Sequence, residues 1–587
     1  MCPTTCFVRK GAYTLNNERY LIKREEVDGF LTLYEILLHA KNKYPNKIAY
    51  RQIESRTEEK TVTFGAFADG VDALRVALSA EGLCGKHFAV CGEGSIEWLT
   101  VYLAVTAGVG VCIPIDRELS PETMAKQLDF ADTDFVFCSA RSIKKLQKAL
   151  ALCEKGKTVA IMRSDDTSRL DNGCERVTTL TELINKGKSL SAGGKSGQCL
   201  KIDPDKTSVI IYTSGTTGAN KGVELSNRNI MGTLRGCARL LHFPETSISV
   251  LPVNHSYELH AHLMSCLYCG TTVSFNDDLK HILKNLERFS PEMSCMVPMM
   301  LDLIVRKLKK GIADAGKEKK FEKAVRFSNA LRKLGFDFRQ RLFAELTKPL
   351  GGKLKMIISG GAALSQDTAD FLENVGITVY NGYGITECSP VVAVNPGARV
   401  KKNSVGLLLP TMRVRINKPD ELGNGELQLF GDNVMKGYYK APEDTERVFT
   451  ADGWFCTGDI GHVDSDNFVY ISGRLKNLII LPNGKNIYPE EIEDALMKRI
   501  PYISECVVYA DEGNTGIYAI VFLDRSFAEK NGLDTPEKQK SFMKKDVDMF
   551  NGSVPSFKRI ADYDITDREF EKSSSHKIQR FKIAAVR

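Results

Sequence analysis

Short apolar runs alternate with helix-length stretches over residues 208–473, and this alternation constrains the fold more than any other feature of the chain. The runs SVIIYT, TTVSF, KMIISG and ITVYNGYG each have the length of a strand, and each leads into a glycine-rich or polar turn. Strands that alternate with helices are typical of a layered α/β architecture. The sequence therefore predicts an α/β fold for this part of the chain.

The pattern changes after FVYISGR, which ends at Arg474. YPEEIEDALMKRI predicts a helix with Pro489 in its first turn and glutamates at its positive end. ECVVYADE and GIYAIVFL follow it and predict two strands of a small hairpin. A chain of 587 residues is too long for one hydrophobic core, and the remaining stretch has the size of a domain. We therefore predict two domains, residues 1–473 and 474–587.

The composition is that of an ordinary globular protein, with 43% hydrophobic and 26% charged residues. Sixteen cysteines are scattered instead of forming a disulfide framework, which favours the reducing cytoplasm. Residues 1–17 lack an apolar core of signal-peptide length. Residues 98–116 are the most membrane-like segment, but their glycines, threonines and proline predict a buried helix, a turn and a strand. CLYC at Cys266–Cys269 has no second Cys-x-x-Cys partner, which favours core packing in one helix over zinc binding.

Positive charge is concentrated in residues 301–350, which hold fourteen lysines and arginines against six acidic residues. Apolar residues at helical spacing lie among these charges. We interpret the stretch as an exposed helical hairpin with a solvated basic face, which is the commonest role of such charge runs. The alternative is that the stretch binds a membrane surface or the phosphates of coenzyme A. Even in that alternative, we expect membrane contact to be peripheral at most. Interleaved aromatic platforms and zinc modules are missing from the sequence, which argues against nucleic-acid binding.

The segment YTSGTTGANKG, residues 212–222, follows a predicted strand and carries almost no side-chain bulk. Its glycines allow backbone N–H groups to approach a ligand closely, and its hydroxyls and Lys221 add donors for an anion such as phosphate. A flexible linker is the alternative interpretation. The two standard phosphate-loop patterns are excluded, since Asn220 precedes the lysine and Gly222 follows it. The segment predicts an anion site of another kind.

Four further segments place polar groups after predicted strands, where α/β folds bind ligands. SGGAAL offers a double glycine to a flat ring, and NGYGITE sets Tyr383 between glycines as a stacking face, followed by a hydroxyl and a carboxylate that suit Mg²⁺. GWFCTGDIG predicts Asp459 in a tight turn, suited to a ribose diol, and SGRLKN adds Arg474. Near the C-terminus, Lys577 follows three serines and a histidine and can deliver a point charge.

These segments, in this order, resemble the motifs of the adenylate-forming superfamily, which includes acyl-CoA synthetases, non-ribosomal adenylation domains and firefly-type luciferases. The resemblance runs from about residue 28 to the C-terminus. LPVNHSYELH, MVPMMLDLIVRKL and LIILPNGKNIYPEEIE are most similar to long-chain fatty acid–CoA ligases. The resemblance implies a large α/β N-terminal domain of several subdomains and a small mobile α+β C-terminal domain. It also implies that ATP and a fatty acid form an acyl adenylate and pyrophosphate, after which coenzyme A takes the acyl group.

The resemblance also implies roles for individual residues. Thr386, Glu387 and His255 would serve catalysis, with Glu387 as the Mg²⁺ ligand, while Lys577 would bridge the nucleotide and the substrate carboxylate. Lys476 would be the hinge about which the small domain rotates between the two reactions. The remaining implied residues would bind ATP: Thr213, Ser214, Gly215, Thr216, Thr217, Gly218, Lys221, Gly361, Ala362, Asn381, Gly382, Tyr383, Asp459 and Arg474.

The sequence departs from the family pattern at five asparagine or histidine positions: Asn220, Asn227, Asn467, Asn477 and His576. The family commonly has proline, histidine, glycine, aspartate and glycine there. We interpret His576, next to Lys577, as tuning of the lysine's entry and not as loss of activity. Two alternatives to a CoA ligase stay open. One is a ligase that loads an acyl carrier protein, which the basic stretch would dock. The other is a nucleotide-binding protein without turnover.

Overall fold

A computed structural model describes most of the chain: residues 20–55, 57–170, 174–194, 200–214, 220–482, 485–511, 513–514, 516–572 and 578–584. Five residues to which the sequence assigns a role lie outside the described residues: Gly215, Thr216, Thr217, Gly218 and Lys577. The described chain divides into two compact units. The large unit comprises residues 20–413 and 430–453, and the small unit comprises residues 414–429 and 454–584.

The strands, numbered along the chain, are β1 (Ile48–Ile53), β2 (Glu59–Thr63), β3 (Lys86–Cys91), β4 (Gly110–Ile115), β5 (Phe135–Ser139), β6 (Lys157–Met162), β7 (Cys174–Thr179), β8 (Thr207–Ser214), β9 (Asn220–Ser226), β10 (Thr246–Ser249), β11 (Thr272–Phe275), β12 (Met293–Met296), β13 (Met356–Ser359), β14 (Thr378–Gly384), β15 (Val391–Val394), β16 (Gly406–Leu408), β17 (Met412–Asn417), β18 (Gly425–Gly431), β19 (Gly437–Tyr438), β20 (Phe455–Val463), β21 (Phe468–Arg474), β22 (Ile479–Ile480), β23 (Asn486–Ile487), β24 (Ile503–Ala510), β25 (Ile517–Leu523) and β26 (Ile560–Ile565).

The α-helices are α1 (Leu33–Lys43), α2 (Phe64–Ala80), α3 (Ile96–Ala104), α4 (Pro121–Phe130), α5 (Ile143–Leu150), α6 (Leu180–Ala192), α7 (Asn227–Leu240), α8 (Ser265–Cys269), α9 (Ile282–Phe289), α10 (Pro298–Asp314), α11 (Glu318–Lys333), α12 (Arg339–Leu342), α13 (Ala344–Thr347), α14 (Gln366–Asn374), α15 (Pro442–Val448), α16 (Pro489–Arg499), α17 (Arg525–Lys530), α18 (Pro536–Ser553) and α19 (Arg580–Ala584). The predicted α/β fold class is confirmed.

The large unit contains two mostly parallel sheets. One has the strand order β19-β9-β8-β4-β3-β5-β6-β7, and its pairs are parallel from β8 to β7. The other runs β16-β15-β14-β13-β12-β10-β11-β1-β2 within this unit, and its pairs are parallel from β14 to β1. Parallel strands of this kind are covered on both faces, and β5 and β13 are accordingly buried at every position.

Helix signals in the sequence explain how the covering helices begin. Ser120 caps α4 by accepting a hydrogen bond from the Thr123 amide, and Pro121 occupies the first helical position. The apolar face of α4 then buries Met124 and Leu128 in one cluster with strands of the eight-stranded sheet. The sheet is therefore held by the side chains that helical spacing places on one face.

The small unit has an α+β composition. Strands β17, β18, β20 and β21 lie side by side in a sheet in that order. Strands β24, β25 and β26 form a separate three-stranded sheet. Its β24–β25 pair is antiparallel, so the predicted hairpin is confirmed, and β26 adds in parallel to β25. Helix α16 begins at Pro489 as predicted, and Ile492 and Leu496 on its buried face share a core with Met543 and Val547 of α18.

Residues 98–116 form a buried helix, a tight turn at Ala107 and Gly108, and a strand, the helix being α3 and the strand β4. This confirms the prediction of a core segment. Within the part of the chain that the structure describes, every helix is too short or too polar to cross a membrane. The basic stretch forms the helices α10 and α11, joined by a short turn, and α11 is exposed along most of its length. The predicted helical hairpin is therefore present.

Candidate active site

The glycine-rich motif connects two antiparallel strands instead of a strand and a helix. Thr213 pairs with Lys221, and Ser214 pairs with Asn220, at the end of the β8–β9 ladder. Residues 215–219, which join these strands in sequence, lie outside the described residues. Standard phosphate loops lead into a helix N-terminus, so this topology explains why their spacing is missing from the sequence.

The side chain of Lys221 lies between an acid and an aromatic ring. Its Nζ is 3.0 Å from Oδ2 of Asp444 and 4.8 Å from the centre of the Tyr438 ring. Strand β19 brings these partners close because it pairs with β9, with Tyr438 opposite Val223. Asp444 lies in the first turn of α15, where the helix dipole favours an acid.

Tyr438 also links Lys221 to Glu387. Its hydroxyl donates a hydrogen bond to Oε1 of Glu387 over 3.0 Å, and the Glu387 carbonyl accepts one from the Met435 amide over 2.8 Å. Burial and the Glu387 carboxylate raise the pKa of Tyr438 well above its usual range, so the phenol stays a neutral donor at neutral pH. We call Glu387, Tyr438, Lys221 and Asp444 the Lys221 cluster.

Thr386 joins a second predicted segment to this cluster. Its hydroxyl lies 3.4 Å from the hydroxyl of Ser256, the neighbour of His255. Burial lowers the pKa of His255, which keeps the imidazole neutral at physiological pH. The Nε2 atom of His255 is buried and has no hydrogen-bond partner within the described part of the chain. The fold thus brings the His255 and Glu387 segments, which the sequence nominated separately, into contact.

The predicted adenine segments lie on adjacent parallel strands. Ser359 at the end of β13 pairs with Asn381 in β14, so the two segments that continue from these residues share one sheet edge. Gly361 has a φ of +90°, a conformation that favours glycine, and Ala362 beside it is exposed. Gly382 and Tyr383 are the next residues of β14. All five predicted residues therefore occupy the carboxyl end of β13 and β14, as α/β binding sites do.

Asp459 lies inside strand β20, so the prediction of a tight turn was wrong. Gly458, just before it, has a φ of +66°, which bends the strand without ending it. Asp459 is buried, and it pairs across the ladder with Arg474, whose Nε is 2.8 Å from Oδ1 of Asp459. The structure therefore brings together Asp459 and Arg474, for both of which the resemblance implies a role in ATP binding.

Lys476 and Asn477 follow Arg474 in a short 3₁₀ turn. Burial lowers the pKa of Lys476, and the nearby cations Arg474 and Arg580 lower it further. Asn477 donates a hydrogen bond from Nδ2 to Oε1 of Glu490 over 2.5 Å. An aspartate, common here in the family, would place a second carboxylate against Glu490, which explains the asparagine.

Two other departures from the family pattern also have structural reasons. Asn467 has a φ of +65°, a conformation that glycine adopts most easily and asparagine tolerates. Asn227 is buried and hydrogen-bonds on both sides, accepting from the Leu33 amide and donating to the Thr106 carbonyl. The side chain of Asn220 and the whole of His576 lie outside the described residues.

Three residues of this site were not predicted from the sequence: Tyr438, Asp444 and Ser256. Tyr438 follows a glycine in GYYKAPED. This aromatic residue next to a glycine is the sequence feature that could have indicated a role in the site. The contacts of Asp444 and Ser256 join segments far apart in the chain, so spacing alone does not mark them.

Comparison with known proteins places this arrangement in a family. The AMP-binding enzyme family matches residues 37–439, and the AMP-binding enzyme C-terminal domain matches residues 476–586. A long-chain-fatty-acid–CoA ligase of Mycobacterium bovis, FadD15, is 30% identical over 77% of this chain and 75% of its own length. Long chain acyl-CoA synthetase 7 of Arabidopsis thaliana, described as peroxisomal, is 28% identical over 84% of this chain and 73% of its own.

Solved structures share the fold. ATP-bound MatB from Rhodopseudomonas palustris superposes with a TM-score of 0.72 at 24% identity, covering 95% of this chain and 98% of that protein. The adenylation domain of a Mycobacterium chelonae carboxylate reductase gives a TM-score of 0.75 at 19% identity, covering 97% and 92%. Because the family match spans well over half of its length, the chain belongs to the AMP-binding enzymes, the adenylate-forming superfamily that its motifs resemble.

Proposed function

We propose that the protein is an ATP-dependent ligase that activates a long-chain fatty acid as its acyl adenylate, releases pyrophosphate and transfers the acyl group to coenzyme A. The observation that carries this proposal is the Lys221 cluster, in which a cation and a carboxylate are tied together beside the glycine-rich motif. The names of the relatives, long-chain-fatty-acid–CoA ligase and long chain acyl-CoA synthetase, support the choice of substrates.

The first reaction brings two anions together, so the site must offset their charge. Lys221 and residues 213–218 would bind the β- and γ-phosphates, with Thr386 beside them. Glu387 would hold Mg²⁺, which in proteins is commonly bound by one or two carboxylates and the substrate phosphates. Among the described residues, three or more potential metal ligands nowhere gather as a group, and a single carboxylate suits a metal shared with a nucleotide. Magnesium would supply charge neutralisation at the phosphates.

The remaining predicted residues would bind the other parts of the substrates. Asp459, with its carboxylate oriented by Arg474, would hold the ribose. The neutral imidazole of His255 would lie beside the carboxylate of the fatty acid. Because it carries no charge, it would not form an ion pair with that carboxylate. The carboxyl end of β13 and β14 would frame adenine through Gly361, Ala362, Asn381, Gly382 and Tyr383.

We also propose a division of labour along the chain. Residues 1–473 would bind the nucleotide and the acyl group, and residues 474–587 would form a mobile domain that rotates about Lys476. Lys577 would act in adenylation and then give way to the segment NGKNIYPEE for thioester formation.

The proposed reaction is tested by measuring pyrophosphate release with fatty acids of graded chain length, with and without coenzyme A. We expect ATP-dependent release with long-chain acids, and multiple turnovers only when coenzyme A is present. If every acid from short to very long chain gives no release, the ligase proposal fails. If release stays at a single turnover with coenzyme A but continues with an acyl carrier protein, the carrier-loading alternative replaces it.

Asp444→Asn is expected to lower the KM for ATP by about two- to fivefold, with little change in kcat. The ion pair between Lys221 and Asp444 must be broken before the lysine can bind phosphate, and both side chains are partly exposed, so the pair stabilises the resting state only weakly. Initial rates at varied ATP concentration measure the change, which should shrink at high salt.

Glu443→Gln is the matched control for this prediction. Glu443 is the adjacent acid of α15, and its nearest cation is Arg447, 3.7 Å away. The control should leave the KM for ATP unchanged. A rise in KM for Asp444→Asn would contradict the expectation and would mean that Asp444 positions Lys221 for phosphate binding.

A further inference from the structure

Large apolar side chains are exposed on one part of the large unit. Sixteen such side chains are exposed among the described residues, and five of them lie between positions 327 and 342: Phe327, Leu334, Phe336, Phe338 and Leu342. Leu334 is 71% exposed, and Phe336 is 56% exposed. Exposed apolar groups are common singly, but a concentration of this kind marks an interaction surface. We call Leu334, Phe336, Phe338 and Leu342 the apolar tip.

Ion pairs of Asp337 and Arg339 fix the turn that carries Phe336 and Phe338. The rings of Phe336 and Phe338 stack nearly parallel, with centroids 6.3 Å apart. Asp337, between them in sequence, accepts hydrogen bonds from the buried guanidinium of Arg339 at 2.7 and 2.9 Å. Arg339 also donates to the carboxylate of Glu373, over 2.6 Å. The pKa of Asp337 falls to about 2 because of Arg339, so these contacts persist over the physiological pH range. The exposed rings are therefore displayed by a fixed turn.

The segment that carries the apolar tip is rich in positive charge. Residues 317–342 contain nine lysines and arginines and three acidic residues. One of those acids, Asp337, is neutralised by Arg339. Lys333 and Arg341 are exposed and lie next to the tip in sequence. The inner face of α11, in contrast, packs Phe321 and Val325 against the core of the large unit. The outer face of the helix and the tip thus combine apolar and cationic groups.

We propose that the apolar tip and the basic outer face of α11 dock the protein on an anionic lipid bilayer, with Phe336 and Phe338 inserted at the headgroup level. Apolar insertion and attraction between cations and anionic headgroups are the two forces that bind a peripheral protein to a membrane. A bilayer provides both over a continuous surface. An acidic protein would form ion pairs with the cations, but it would need an additional apolar surface to contact the exposed rings. This inference goes beyond the proposed reaction and does not require it.

The test is sedimentation of the full chain with vesicles of phosphatidylcholine, with and without phosphatidylglycerol. We expect binding to the anionic vesicles that weakens as salt is raised. The double variant Phe336→Ala/Phe338→Ala should bind about tenfold more weakly, since two inserted rings are lost. Lys333→Glu/Arg341→Glu should weaken binding to anionic vesicles by more than about tenfold, because each cation contributes about fivefold.

Matched variants control for general loss of apolar or positive surface. Leu152→Ala/Leu279→Ala removes two side chains of similar exposure, 55% and 58%, at distant positions. Lys126→Glu/Lys188→Glu reverses two exposed charges elsewhere. Both controls should bind like the parent protein, and all variants should keep its thermal unfolding midpoint. Parent protein that fails to sediment with anionic vesicles overturns the proposal, as do tip variants that bind like the parent. Binding to an acidic acyl carrier protein instead of vesicles would assign the surface to that partner.

Discussion

Lys577→Ala is expected to reduce acyl adenylate formation by about 10²- to 10³-fold while leaving thioester formation from a supplied acyl adenylate nearly unchanged. The first half-reaction joins a carboxylate to a phosphate ester, and a lysine that reaches both anions stabilises the charge of the transition state. In the second half-reaction the leaving group is already AMP, so a lysine that has withdrawn has no further role.

The two half-reactions are measured separately: pyrophosphate release from acid and ATP, and acyl transfer from synthetic acyl adenylate to coenzyme A. Lys582→Ala is the control, because Lys582 lies nearby in α19 and is paired with Glu571. Equal loss in the two assays for Lys577→Ala would contradict its assignment to adenylation alone. If Lys582→Ala also loses activity, the loss would be explained by a disturbed fold of the chain end and not by the role of Lys577.

Glu387→Gln is expected to lower kcat/KM for ATP by about 10²-fold and to raise the Mg²⁺ concentration needed for half-maximal rate. The substitution keeps the size of the side chain but removes the negative charge. The hydroxyl of Tyr438 donates to this carboxylate over 3.0 Å, so Tyr438→Phe should give a smaller loss of about tenfold by loosening its orientation.

Tyr439→Phe provides the control for these variants. Tyr439 is the next residue, but its hydroxyl donates to Asp132, 2.7 Å away, and not to Glu387. Removing that hydroxyl should leave the magnesium dependence unchanged. If Glu387→Gln lowers the rate without altering the Mg²⁺ titration, Glu387 acts as an electrostatic or positioning group and the metal assignment is wrong.

Much of the architecture could be predicted from the chain itself. Buried strands such as SVIIYT and KMIISG are short apolar runs ended by glycines, and the structure places β8 and β13 there. Helix α16 begins at the proline that marked it. These features depend on local conformational preference and on the periodicity of apolar residues, so neighbouring residues suffice to predict them.

Local sequence patterns gave a wrong prediction where a glycine lies inside a strand. TGD resembles a turn, yet Asp459 continues strand β20 after Gly458 bends it. Pairing with β21 keeps the strand intact, and this pairing buries Asp459 against Arg474. Whether TGD forms a turn or continues a strand is decided by the pairing with β21, which belongs to another segment. The three residues themselves do not indicate this pairing.

The sequence by itself predicted the class of fold and the family, because apolar periodicity and the order of the motifs can be read along the chain. Through that resemblance it also nominated most residues of the proposed chemistry, but not Tyr438, Asp444 or Ser256. Only the tertiary structure decided what those residues contact. Lys221 meets Asp444 and Tyr438 because β19 pairs with β9, and the hydroxyl of Thr386 lies 3.4 Å from that of Ser256 although 130 positions separate the two residues in the chain. The exposure of Phe336 and Phe338 is also decided by the tertiary structure. The sequence shows that these residues are apolar, but only the packing of the rest of the chain determines whether they are buried.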